Sequence, residues 1–170
     1  MNKLLGNFLN IIIGSILVWV LVYFLFYNPE PIVEQGPEDE IIVELFGEGA
    51  IVTLDAAFTP SGVILGKEDV TLDGNVVGYS YHLKGTGEYF NAEGSIEFKF
   101  LLDIDFTLLG FIEVEYGHTG GGYRANTLTF IRGLVGTSLV DFEDLDEETG
   151  STASTNLLTD MLMELKALLA

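Results

Sequence analysis

The residue types best suited to chemistry are concentrated near the end of the 170-residue chain, in Asp141-Phe142-Glu143-Asp144-Leu145-Asp146-Glu147-Glu148-Thr149-Gly150-Ser151-Thr152-Ala153-Ser154-Thr155-Asn156. An acidic run ends in a hydroxyl-rich turn. After it, Leu158, Met161, Leu162, Leu165 and Leu168 recur at helical spacing, which predicts a terminal helix over Asn156 to Leu169. The first N–H groups of a helix have no partner within it and lie at the positive end of its dipole, so a phosphoryl group on this turn would be well placed. Gly150 lets the backbone turn sharply beside it. The same residues also read as ordinary caps, because Thr149, Ser151, Thr152 and Ser154 are all preferred N-cap types. Spacing alone leaves both readings open.

Other chemistries find less support. The acidic run from Asp141 to Glu148 lacks the alternating ligands and central Gly of a calcium loop and reads as a solvated charge run. His82 and His118 are the only histidines, and no third ligand stands at a metal-site spacing from either. The glycines Gly120 to Gly122 do not follow a strand and open a helix in dinucleotide-binding fashion, and no Ser-His-Asp arrangement emerges from order or spacing. With no cysteine, the chain cannot itself supply disulfides, iron–sulfur ligands or thiolate zinc sites. A net charge of −19 with only seven Lys and Arg excludes nucleic acid as an expected partner.

The elements that must position the hydroxyl-rich turn are mostly strands. Val70 to Asp73 and Val76 to Lys84 flank Asp73-Gly74-Asn75, a hairpin turn, with Val77, Tyr79, Tyr81 and Leu83 expected to share one face and His82 to face solvent. Ile96, Phe98, Phe100 and Leu102 alternate with Glu97 and Lys99. Ile112, Val114 and Tyr116 alternate with Glu113 and Glu115, giving a second half-buried pair that turns around Asp103 to Leu109. A short helix is expected over Thr127 to Leu134 and a further strand over Ser138 to Phe142. Pro37, the acids Glu38, Asp39 and Glu40, and the stop at Gly47 favour a helix, whereas the β-branched residues between favour a strand. The expected class is α+β: a mainly antiparallel twisted sheet with packed helices, behind a single N-terminal transmembrane helix.

That anchor is read from Leu4 to Asn28, where no residue is charged and Ile11 to Tyr27 is almost wholly apolar, long enough to cross a hydrocarbon core of about 30 Å. Lys3 precedes the span and Glu30, Glu34, Glu38, Asp39 and Glu40 follow it, so the N-terminus is expected in the cytoplasm and the domain outside, single-pass in the cell membrane. A cleaved signal peptide is the competing reading, but Phe26-Tyr27-Asn28-Pro29 follows the apolar run where small residues would be expected. The expected divisions are an anchor over 1–28, an acidic, Pro-containing tether over 29–40 and a domain over 41–170.

The segment Asp146-x-x-Thr149-Gly150-Ser151-Thr152 resembles the flavinylation motif of the FMN-binding domain family, which includes the G subunit of Rnf electron-transport complexes and the C subunit of the sodium-translocating NADH:quinone reductase. The resemblance covers about the last hundred residues, through Gly78-Tyr79, Gly85-Thr86-Gly87, Gly94 to Phe100 and His118-Thr119-Gly120-Gly121. Ser151 stands where the family usually has Ala, and the His118 loop stands where it has Glu-Thr-Pro-Gly. The resemblance implies FMN held as a phosphoester on Thr152, with Gly150 and Ser151 shaping the turn and Ser154 and Thr155 supplying donors. It further implies that Asp146 and Thr149 belong to the motif read by a flavin transferase, and that His118, Thr119 and Gly120 contact the flavin. The implied function is an electron-transfer flavoprotein subunit working beside other membrane redox subunits. The alternatives are a stand-alone flavin carrier in an extracytoplasmic electron-transfer chain, or an anchored domain that keeps the fold without flavin.

Overall fold

The structure, a computed structural model, describes residues 37–90, 92–119, 122–143 and 153–170. They belong to one compact unit that begins at Gly36. The expected anchor and most of the tether lie outside the described residues, among which no helix is long and apolar enough to cross a membrane.

The first element, α1 (Pro37–Phe46), resolves the helix-or-strand ambiguity. Glu38, Asp39 and Glu40 occupy its first turn, where the helix dipole favours acids, and Gly47 at φ 106° ends it in a conformation costly for any residue with a Cβ. Its β-branched residues are accommodated because one side is buried. Ile42, with Ile41, Leu45 and Phe46, packs on Val70 and Leu101 of the sheet, and tertiary burial outweighs a weak local preference. The helix begins inside the stretch expected to be tether.

The sheet has five antiparallel strands in sequential order: β1 (Ile51–Leu54), β2 (Ile64–Leu72), β3 (Asn75–Tyr89), β4 (Ala92–Asp103) and β5 (Leu108–Tyr116). The β2–β3 connection is the predicted hairpin. Asp73 (φ 52°) and Gly74 (φ 79°) form a two-residue loop with both φ values positive, the geometry that matches the strand twist. On β4 the alternation holds throughout: Ile96, Phe98, Phe100 and Leu102 are fully buried on one face, while Leu101 on the other meets α1. One expectation fails in β3. Tyr79, Tyr81 and Leu83 lie in the main core, but Val77 packs on the α1 side, because the pairing slips where Val70 faces Gly78 and Thr71 faces Val76. A bulge of this kind moves a side chain to the opposite face.

Two helices, α2 (Gly122–Leu134) and α3 (Ala153–Leu169), close the main core. Leu158, Met161, Leu162 and Leu165 of α3 are fully buried. Leu168 is 45% exposed; it lines an open depression beside Asp55, Lys67 and Tyr81 instead of continuing the buried stripe. The predicted strand over Ser138 to Phe142 does not form. Ser138 makes a single bridge to Thr107, and Phe142 N–H then turns back to the Leu139 carbonyl (3.3 Å). Leu139 and Phe142 are still buried, so the apolar residues that suggested a strand serve the core from a turn. His82, expected to face solvent, is half-buried and bonds Glu97 at 2.7 Å on the α1 side of the sheet.

Candidate functional site

Of the residues singled out from the sequence, Asp146, Thr149, Gly150, Ser151, Thr152 and Gly120 lie outside the described residues. His118, Thr119, Ser154 and Thr155 lie within them. Gly117 N–H bonds the Ser95 carbonyl at 2.8 Å, extending the β4–β5 pairing one residue past Tyr116, and the chain then turns inward. His118, Thr119 and Ser154 are 1%, 5% and 0% exposed, and they meet: His118 Nδ1 lies 2.8 Å and Thr119 Oγ1 2.5 Å from Ser154 Oγ. Ser154 is the second residue of α3. The loop after β5 is thereby fastened to the start of the last helix, across 36 residues of sequence. Thr155 contributes its carbonyl, which accepts from Thr159 Oγ1 at 3.0 Å.

Two further members were not legible from the sequence. Tyr116 OH lies 3.2 Å from Thr119 Oγ1 and 3.1 Å from Thr127 Oγ1, and Thr127 Oγ1 lies 3.1 Å from the Tyr123 carbonyl. Tyr116 reads as one more apolar position of an alternating strand, and Thr127 as an ordinary helix residue. Only their meeting in three dimensions distinguishes them.

The hydrogens in this chain of contacts have a direction. A hydroxyl has one proton to donate, and that of Thr127 goes to the Tyr123 carbonyl, which can only accept. Tyr116 must then donate to Thr127, Thr119 to Tyr116, Ser154 to Thr119, and His118 Nδ1–H to Ser154. The proton of the neutral imidazole is thus on Nδ1, and Nε2 carries a lone pair. Nε2 is buried and has no partner in hydrogen-bonding geometry. Burial pushes the His118 pKa below its ordinary 6.5, with the nearby Gly87 backbone opposing. Both observations describe a neutral histidine that orients its neighbours.

Ser154→Ala would remove the acceptor of His118 and the donor of Thr119 from a buried site. We expect it to cost about 1–3 kcal/mol, the usual penalty for polar groups left unmatched in a core. Urea denaturation would measure this; a change within error would mean that the two groups reach other partners.

The sign of the His118 shift sets a pH dependence. Below pH 6.5 the unfolded chain protonates this histidine while the folded chain keeps it neutral, so its contribution is complete above 6.5 and is lost as pH falls toward the depressed folded value. The slope is at most about 1.4 kcal/mol per pH unit. His118→Asn, which keeps an amide donor in place of Nδ1–H, is expected to flatten unfolding stability between pH about 6.5 and 5. A slope unchanged by the substitution would refute the assignment. Glu97, held below its ordinary 4.5 by the Lys84 ammonium and by His82, acts only at lower pH.

One glycine in particular makes the site possible. Gly87 and Gly94 pair across β3 and β4 beneath His118. A Cβ on Gly94 would fall 2.7 Å from the His118 Cα, whereas one on Gly87 would make an ordinary contact, 3.5 Å from His118 Nε2. Beside them the Tyr89 ring lies 4.7 Å from the imidazole, centroid to centroid.

Elsewhere, the depression beside Asp55 holds one cation, Lys67, whose Nζ is already paired with Asp55 (3.1 Å) and Asp69 (2.9 Å). It therefore offers no uncommitted positive charge to an anion. Among the described residues no three His, Asp or Glu side chains converge as a metal site would need.

The chain matches no protein-family model and no curated protein.

Proposed function

We propose that this protein is a membrane-anchored electron-transfer flavoprotein that carries FMN through a phosphoester on Thr152, and that it works beside other membrane redox subunits after modification by a flavin transferase. The reading rests on the motif from Asp146 to Thr152 and on the apolar span ahead of the domain. The observation that carries it furthest is Ser154, buried and bonded to both His118 and Thr119. The two segments that the resemblance assigns to flavin are the two that this contact ties together.

The donor set suits a phosphoryl group. The first N–H groups of α3, which begins at Ala153, have no partner within the helix and lie at its positive end. A net charge of −19 opposes loose binding of a phosphate dianion, so an ester bond answers a dissociation problem that electrostatics would otherwise create. The flavin supplies the redox chemistry. The protein's residues hold and orient: the hydroxyl chain from Thr127 to Ser154 fixes the start of α3, and His118, kept neutral, adds no charge to it.

The test is co-expression of the full chain with a flavin transferase, followed by detection of flavin fluorescence on the denatured protein. A fluorescent band that survives denaturation is expected. Its absence, with the protein folded, would leave an anchored domain without flavin.

A further inference from the structure

The turn between β3 and β4 carries an aromatic residue where the backbone disfavours one. Phe90 has φ 45° and is 76% exposed. A bulky non-glycine residue in this conformation is uncommon, and an exposed phenyl ring recovers nothing through burial. Phe90 is not isolated. Its ring lies 5.9 Å from that of Tyr123, in the first turn of α2 and 45% exposed, and 6.5 Å from that of Tyr89. Tyr89 in turn lies 4.7 Å from His118, which bonds Ser154 at the start of α3. An unbroken line of side chains therefore leads from the helix start to two exposed aromatic rings contributed by different elements.

The geometry points to a cage in which Phe90 and Tyr123, with Tyr89 beneath them, hold the isoalloxazine ring of the attached FMN; this rests on the FMN attachment proposed above. Three arguments select that occupant. Flat aromatic faces favour a flat aromatic ligand, through offset or edge-on contacts. Glu88 and Glu93 pair across the same hairpin, and Arg124, next to Tyr123, is already bonded to Glu113, so the phosphate end is not favoured there while an uncharged ring is. The line of contacts starts at α3, whose first residue directly follows Thr152 in sequence, so the residue that would carry the ester adjoins the helix start from which these contacts run.

The experiment uses the full chain co-expressed with a flavin transferase, as wild type, Phe90→Ala/Tyr123→Ala, Tyr123→Ser and Tyr123→Phe. Flavin on the denatured protein reports attachment. Native flavin fluorescence and visible circular dichroism report how the ring is held. A phenol in contact with a flavin quenches it, so the expected result is equal attachment in all four. Native fluorescence should rise several-fold and the induced dichroism be lost in the double variant, with an intermediate loss in Tyr123→Ser. Tyr123→Phe should keep the dichroism while losing part of the quenching. Should the double variant misfold, the two single variants decide. Equal attachment with unchanged fluorescence and dichroism throughout would overturn the cage and leave the attachment standing. Absence of flavin from the denatured wild type would overturn the attachment itself and the cage with it.

Discussion

Thr152→Val is expected to abolish covalent flavin altogether, while unfolding changes by no more than the loss of a helix cap, about 0.5–2 kcal/mol. Valine reproduces the branched shape of threonine and removes only the hydroxyl, so loss of flavin from protein that is still folded reports chemistry: without that oxygen no phosphoester forms. Thr149, Ser151 and Ser154 carry the neighbouring hydroxyls and are the natural controls. Ser154 is already committed, buried against His118 and Thr119, and cannot substitute as an acceptor without breaking that network. Ser151→Ala restores the residue that the motif usually has and is expected to leave attachment intact. The readout is flavin fluorescence of the denatured protein at matched loading, after co-expression with the transferase. Retained flavin in Thr152→Val would move the attachment to another residue or refute it.

Gly94→Ala is the second large effect, and it acts through structure alone. An added methyl would run into the Gly117 carbonyl and would fall 2.7 Å from the His118 Cα and 2.8 Å from the Tyr89 ring. Two of these neighbours are backbone, so neither can rotate away. Gly94 is fixed opposite Gly87 in the longest ladder of the sheet, so relief has to come from pushing the His118 loop off β4. Overpacking of a tight core typically costs about 1–3 kcal/mol, and a collision with backbone belongs at or above the upper end of that range. Thermal unfolding should reveal it as a drop in Tm, and flavin attachment should fall in parallel, since the displaced loop is the one bonded to Ser154. Gly66→Ala is the contrasting control: a Cβ there meets nothing within 4 Å, so little change is expected.

How much of this was legible in advance varied with the range of the interaction responsible. Alternation on β4 and the Asp73-Gly74 hairpin are local patterns, fixed by the two-residue period of a strand and the φ demands of a tight turn. On β5 the expected shared face breaks: the pairing with β4 slips, Val114 is exposed, Ile112 packs on the α1 side and Tyr116 in the main core. The leucine face of α3 was equally plain, except at Leu168, whose exposure depends on what lies beside the end of the helix. Ser138 to Phe142 misled for a related reason. A short apolar run looks alike in a strand and in a turn that faces a core, and only the neighbours decide. The bulge that sends Val77 to the α1 side belongs to the pairing of two strands and leaves no mark in either one alone.

The candidate site divides along the same line. The sequence by itself determined the hydroxyl-rich motif ending at Thr152, the apolar span, the α+β class and the glycines at 87 and 94, because residue type, period and small size are properties of the chain. Tertiary structure alone decided that Tyr116, His118, Thr119, Thr127 and Ser154 form one buried chain of hydrogen bonds, that burial lowers the His118 pKa, and that Phe90 and Tyr123 stand together at its edge. Those features require residues far apart in sequence to be brought within about 3 Å for a hydrogen bond, or about 6 Å between ring centres. Burial, which sets the protonation of His118 and the worth of each bond around it, has no value until the sheet and its two covering helices exist.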